Sequence, residues 1–148
     1  MKIYMDVCCL NRPFDDLSQE RVYFEAEAVL AIISNCESGK WMLLSSGTIE
    51  FELSRIADPE KYEKVHTLYS SATEYINIMP DVVERARQFQ KSGIKYFDSL
   101  HLALAEKAEA DILLTTDDQF FIAAQRTDAK VKVTNPAKWF IEVMGNEQ

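Results

Sequence analysis

Acidic residues recur in this chain at the points where an apolar run stops. Asp6 stands near the end of Lys2-Ile3-Tyr4-Met5-Asp6-Val7, and Glu50 and Glu52 follow Trp41-Met42-Leu43-Leu44-Ser45. Asp98 opens an Ala- and Leu-rich stretch, and Asp117-Asp118 come directly after Asp111-Ile112-Leu113-Leu114-Thr115. If those runs are parallel strands, their carboxyl ends border the crevice in which open α/β sheets bind ligands. Acids leaving different strands at that edge converge. Converging carboxylates repel and raise one another's pKa unless a cation lies among them. Hard oxygen donors without a partnering His or Cys set suit Mg²⁺ or Mn²⁺. One or two such ions, holding a phosphate and a water, make a site for phosphodiester hydrolysis.

Singly, most of these acids have a plainer role. Asp98 fits an N-cap or a first-turn acid favoured by the helix dipole. Asp117 and Asp118 fit a turn that starts a helix, and Glu50 and Glu52 fit a solvated helix face. Asp6 has no such account, because it ends an apolar strand. Their joint occurrence carries the argument. Between Glu50 and Glu52, the helical stripe Ile49, Leu53 and Ile56 places Glu52 at the edge of the inward face. Glu50 then lies about 160° away at ~3.6 residues per turn, so the two do not share one centre.

The elements that must position these groups follow from hydrophobic periodicity. Strands are expected over Lys2–Val7, Trp41–Ser45, Tyr75–Ile78, Asp111–Thr115 and Val131–Val133, with a turn over Asn11–Asp16. Helices are expected over about Ser18–Asn35, Thr48–Ile56, from Pro59 through Tyr69, from Pro80 to before Gly93, Phe97–Ala110 and Phe120–Gln125. The first helix carries Val22, Ala26, Val29, Leu30 and Ile33 as its stripe, with Glu20, Glu25 and Glu27 mainly off it. Asn135-Pro136 starts a last helix as N-cap and first residue. Alternation of strands and helices without tight hairpins means an α/β fold with a mainly parallel central sheet. No repeat or linker interrupts the 148 residues, so a single domain, 1–148, is expected.

Composition narrows the function. Asp and Glu number 24 against 16 Lys and Arg, for a net charge of −8. That argues against coating nucleic acid by backbone electrostatics alone, but not against an enzyme that spends acids on a metal. Cys8 and Cys9 are adjacent and Cys36 is alone, which reads as reduced, buried thiols in a reducing compartment. No apolar run approaches the ~18–20 residues of a membrane span, and no cationic leader opens the chain. A cytoplasmic protein without a membrane partner is expected.

The segments IYMDVCCLN, SSGTIEFEL and YFDSLHLALAEKAEADILLTTDDQF together resemble the PIN domain, in particular the small VapC-like toxins of toxin–antitoxin pairs. The last is the most specific, and the resemblance runs from Lys2 to about Val133. It implies a three-layer α/β/α fold and a metal-dependent ribonuclease. Position by position, the family's four acids match Asp6, Glu52, Asp98 and Asp117, the last chosen over Asp118 by its spacing to Phe120. Asp6, Asp98 and Asp117 are the expected ligands of Mg²⁺ or Mn²⁺, with Glu52 as a further catalytic acid. The resemblance also implies an RNA substrate, a cognate antitoxin and a homodimer. One departure stands out. Many members carry Thr or Ser and then Asn after the first acid, where this chain has Val7 and Cys8, which removes polar groups that orient it.

Several neighbours have two readings. Arg12 suits a phosphate grip, or a loop ion pair with Asp15 or Asp16. Thr115 or Thr116 suits a hydrogen bond to a ligating acid, or strand-end packing. His101, one turn beyond Asp98, reads as a packing or polar-contact residue, because no second His accompanies it. Arg85, Arg87, Lys91 and Lys95 flank the approach to Asp98, or simply form a solvated helix face. Tyr23-Phe24 and Trp139-Phe140 are candidates for a dimer surface. A phosphate-accepting receiver domain fits poorly, since it needs an acid pair after the first strand and an aspartate ending a middle one. A degenerate nuclease fold kept as a binding module remains the alternative, and DNA or structured RNA remain possible substrates.

Overall fold

A computed structural model describes residues 1–146. The last two positions of the expected 1–148 span, Glu147 and Gln148, lie outside the described residues. Five strands, β1 (Lys2–Met5), β2 (Met42–Ser46), β3 (Glu74–Ile76), β4 (Ile112–Leu114) and β5 (Val133–Thr134), form one sheet in the order β3-β2-β1-β4-β5. Every pairing is parallel, with Ile3 opposite Leu43 on one side and Ile112 on the other. The chain therefore builds outward from β1 through β2 to β3 and returns to add β4 on the opposite flank. The strand order reverses at β1/β4, which is where an open α/β sheet leaves its crevice.

The central strands are apolar on both faces because helices cover both. Ile3, Tyr4, Met5, Leu43, Leu44, Leu113 and Leu114 are all fully buried. The helices are α1 (Val7–Asn11), α2 (Glu20–Glu37), α3 (Gly47–Ser54), α4 (Pro59–Tyr69), α5 (Pro80–Lys91), α6 (Tyr96–Lys107), α7 (Asp118–Ala124) and α8 (Pro136–Asn146). α2 packs on α8, and α5 on α6. Among the described residues no helix is long and apolar enough to cross a membrane. The α/β fold with a parallel sheet expected from periodicity, and the three-layer arrangement that the resemblance implies, are the ones observed.

The structure differs from the expectation at several places, each for a local reason. β1 stops at Met5, and Val7–Asn11 turns at once into the short helix α1, followed by a 3-10 turn over Arg12–Phe14. Five residues carry too little periodicity to announce a helix, so Cys8 and Cys9 lie in α1 rather than in a strand. Trp139 is buried edge-on against Trp41, with ring centroids 5.1 Å apart, and Phe140 packs partly on the core. That pair is therefore interior, whereas Tyr23 and Phe24 are exposed. Gly93, at φ +98°, takes the left-handed turn that ends α5 and leads into α6.

Glu25 is the largest departure. It falls off the apolar stripe of α2 yet is 1% exposed. Arg12 Nε donates to its Oε1 at 2.8 Å, and Arg21 Nε and Asn135 Nδ2 donate to Oε2 at 3.1 and 2.5 Å. Arg21 also grips both oxygens of Asp118 at 2.8 Å and the carbonyl of Thr116 at 3.1 Å. A buried carboxylate persists only when paired and hydrogen-bonded in this way. The cluster ties α2, the 3-10 turn, the cap of α8 and the β4–α7 loop together. Removing one partner of a buried pair costs about 3–5 kcal/mol. Because both arginines reach solvent, Glu25→Ala should destabilise the fold by about 3 kcal/mol, read as a lower urea midpoint.

Candidate metal centre at the sheet switch point

Each candidate acid is set by the end of an element. Asp6 is the first residue past β1, in extended conformation, and its N–H donates to the Leu114 carbonyl at 2.9 Å, so β4 fixes its backbone. Glu52 sits on the second turn of α3. That helix starts at Ser46, whose Oγ caps it by accepting the Ile49 N–H at 3.2 Å. Asp98 is in the first turn of α6. Asp117 caps α7, its Oδ1 accepting the N–H groups of Gln119 at 2.9 Å and Phe120 at 3.2 Å. It therefore does what its plainer reading required, and its second oxygen makes no hydrogen bond among the described residues.

Asp6, Glu52 and His101 each present a ligating atom within 4.8 Å of the others. Nε2 of His101 contacts Glu52 Oε1 directly and lies 3.6 Å from Asp6 Oδ1. Asp98 joins this group electrostatically. Burial, followed by the charges of Asp6, Asp117 and Glu52, pushes its carboxyl up to about 7, against a counter-effect from His101. Glu50 is exposed, and Asp118 is committed to Arg21. Glu52, not Glu50, thus joins Asp6 and His101, while Asp117 reaches the group through its charge on Asp98.

His101 is the group whose weight the sequence understated. It is fully buried in the middle of α6, and its Nδ1 meets the Tyr4 hydroxyl at 2.6 Å, which in turn meets Ser46 Oγ at 2.7 Å. Burial lowers its pKa, but the Glu52 contact and the charges of Asp6, Glu52 and Asp98 outweigh that and leave it raised. As an imidazolium it donates from Nε2 to Glu52 and from Nδ1 to Tyr4, and Tyr4 donates onward to Ser46. Every polar atom in that buried row then has a partner. The polar-contact reading of His101 holds, and the contact is with a site acid.

Asp6 is oriented from the other side. Thr115 Oγ1 donates to its Oδ2 at 2.9 Å and accepts the Asp117 N–H at 3.1 Å, linking two of the acids. Cys8 Sγ lies 3.4 Å from both Asp6 Oδ2 and Thr115 Oγ1 and accepts the Thr116 N–H at 3.3 Å. The thiol thus occupies the orienting place that the Val7-Cys8 departure had left open. Arg12 is spent on Asp15 and Glu25, so the ion-pair reading describes it and the phosphate grip does not. Arg85 pairs with Glu106 and Asp128, and Arg87 with Glu84. Lys95 instead reaches Gln119 at 3.3 Å across a cavity of about 80 Å³ that Asp98 helps to line.

The donor set fits a divalent cation: the Asp6 and Glu52 carboxylates and the His101 imidazole meet within 4.8 Å, and the Asp98 carboxyl, which feels their charges, is pushed up to about 7. The raised Asp98 pKa has a consequence for the metal-free chain. Between about pH 4 and 7 the folded state keeps a proton that the unfolded state has lost, so this group's contribution to stability falls as pH rises through that window. In chelator, Asp98→Asn should gain about 1–2 kcal/mol over the parent at pH 8, after discounting for solvent screening. The gain should vanish by pH 4. Thermal melts of both proteins across that range check it.

The PIN domain family model matches residues 15–125, which contain Glu52, Asp98 and Asp117 and begin after Asp6. Among solved structures, VapBC2 from Rickettsia felis bound to a DNA fragment from their promoter matches with a TM-score of 0.57. It is 14% identical, over 91% of this chain and 98% of that one. PAE2754 from Pyrobaculum aerophilum matches with the same TM-score and identity, over 98% and 99%. At such identity the likeness is one of fold. No curated protein matches by sequence. With the family model spanning well over half of the chain and the parallel sheet placing its acids at the switch point, the protein belongs to the PIN domain family.

Proposed function

We propose that this chain is a metal-dependent ribonuclease that hydrolyses RNA phosphodiester bonds, and the toxin of a toxin–antitoxin pair. PIN domains are generally nucleases that use a divalent metal. The observation that carries the proposal is the meeting of Asp6 and Glu52 at one point near a carboxyl, Asp98, that burial first and the charges of Asp6, Asp117 and Glu52 second push up to about 7. A fold gains nothing from such repulsion unless a cation relieves it. Asp6, Asp98 and Asp117 would hold Mg²⁺ or Mn²⁺. When bound, that ion supplies a nucleophilic water at neutral pH and neutralises charge on the scissile phosphate.

The chain's own residues do the rest. Thr115 and Cys8 fix the carboxylate plane of Asp6, and Asp117 is locked by its helix cap. Glu52 has one oxygen held by His101 and the other without a hydrogen bond, so it is placed to accept the proton of the attacking water. His101 holds Glu52 Oε1 through its Nε2 and so fixes which oxygen of the carboxylate is left to act.

The toxin role draws on the fold shared with VapBC2, a structure determined with promoter DNA. A cognate antitoxin and a homodimer belong to this reading, with exposed Tyr23 and Phe24 on α2 as its apolar surface. The free thiols Cys8, Cys9 and Cys36 suit a reducing cytoplasm. The test is incubation with single-stranded and structured RNAs in Mg²⁺, Mn²⁺ or chelator, beside Asp98→Asn. Cleavage should need metal and fall by about 10²–10⁴ in the variant. Absence of cleavage together with absence of metal binding by calorimetry would leave the binding-module alternative instead.

A further inference from the structure

Both acids that leave helices toward the site are immediately preceded by a ring. Phe51 comes before Glu52 on α3, and Phe97 before Asp98 on α6. The two rings stack across the helix pair, with centroids 5.8 Å apart and planes 23° from parallel. Tyr96 adds a third ring, edge-on to Phe97 at 5.3 Å. Phe97 is partly buried against the core and anchors the group, while Phe51 is 49% and Tyr96 60% exposed. Arg55, one turn beyond Phe51, holds its guanidinium over that ring at 5.8 Å. Among the described residues it makes no ion pair, unlike Arg12, Arg21, Arg85 and Arg87.

We propose that Phe51, Phe97 and Tyr96, with Arg55, form a ledge on which an unstacked base of a single-stranded polynucleotide lies beside the acidic centre. This rests on the nuclease reading and adds how the substrate is held. The reason lies in the charge. A chain of net charge −8 whose centre is a cluster of carboxylates gains little from counterion release. It needs affinity that phosphate repulsion does not cancel. Stacking on aromatic faces is such a source: it accepts every base, is insensitive to salt, and demands a strand whose bases are free. Phe97 lies one turn before His101 on the same face of α6, so the Phe51–Phe97 pair flanks the Glu52–His101 contact across the same two helices, and a base seated there brings the neighbouring phosphate toward the centre. Arg55 is the one cation already on the ledge, able to stack on the base or meet the adjoining phosphate. A protein segment would also cover apolar rings, but it would not call for a guanidinium without an ion-pair partner among the described residues held over one of them.

The probe is a single-stranded RNA hexamer carrying 2-aminopurine, whose fluorescence is quenched by stacking, titrated in Ca²⁺ with its intactness checked on a gel. The parent should quench the probe. Phe51→Leu keeps apolar bulk but no π-face, and because Phe51 is half exposed its melting temperature should stay that of the parent. It should bind roughly ten-fold more weakly and restore the fluorescence, whereas Phe51→Trp should bind and quench like the parent. Arg55→Gln should reduce the slope of log K against log salt by about 0.7. Parent-like binding and quenching by Phe51→Leu overturn the ledge, as does a loss of self-association in Phe51→Leu with RNA binding unchanged. Neither readout requires cleavage. Quenching without cleavage by any form would defeat the nuclease reading and leave the ledge. Asp98-dependent cleavage with an unchanged KM in Phe51→Leu would do the reverse.

Discussion

Like charge gathered at one end of a parallel sheet is the constraint around which the rest of this molecule is arranged. The strand order reverses between β1 and β4, where Asp6 leaves β1 and meets Glu52 and His101, with Asp98 and Asp117 joined to them through their charges. Asp98 registers that setting, pushed up to about 7 by burial first and by the neighbouring carboxylates second. The protein answers on two sides. On one, a buried row of Ser46, Tyr4 and His101 brings to Glu52 and Asp6 an imidazole whose pKa is raised. On the other, Thr115 and Cys8 hold Asp6 by neutral hydrogen bonds, which fix its direction without discharging it. What remains uncompensated is the share that the proposed metal would take.

The same economy explains where the cations went. Most arginines are tied to acids away from the pocket: Arg12 and Arg21 to Glu25, Arg21 to Asp118, Arg85 to Glu106. An arginine inside the centre would compete with the metal for the carboxylates. Placed around Glu25, two arginines instead brace the loop that carries Asp117, because Arg21 also holds the Thr116 carbonyl. Charge pairing acts here as scaffolding for a site that must itself stay unpaired.

Much of this was legible in the amino-acid sequence, and the limits are physical. The α/β alternation, the parallel sheet and the positions of Asp6, Glu52, Asp98 and Asp117 at element ends follow from periodicity and turn chemistry, which are local. Helical phase alone separated Glu52 from Glu50. What escaped depends on contacts between distant segments. Glu25 reads as a solvated acid until Arg12, Arg21 and Asn135 arrive from elsewhere, and Trp139 reads as a surface ring until Trp41 covers it. His101 was readable as a polar contact, but its link to Tyr4 spans 97 residues, which no window along the chain reveals. Helix α1 escaped for another reason: five residues are less than two turns.

The sheet's margins carry a consequence of their own. Its outer strands, β3 and β5, have three and two residues. Edges so short offer a passing chain almost no unpaired backbone to zip onto, which protects the molecule from edge-to-edge aggregation. They also narrow the means of regulation. Any partner that docks on it would find little strand to extend, and would meet the grooves and rings of its helical coat instead.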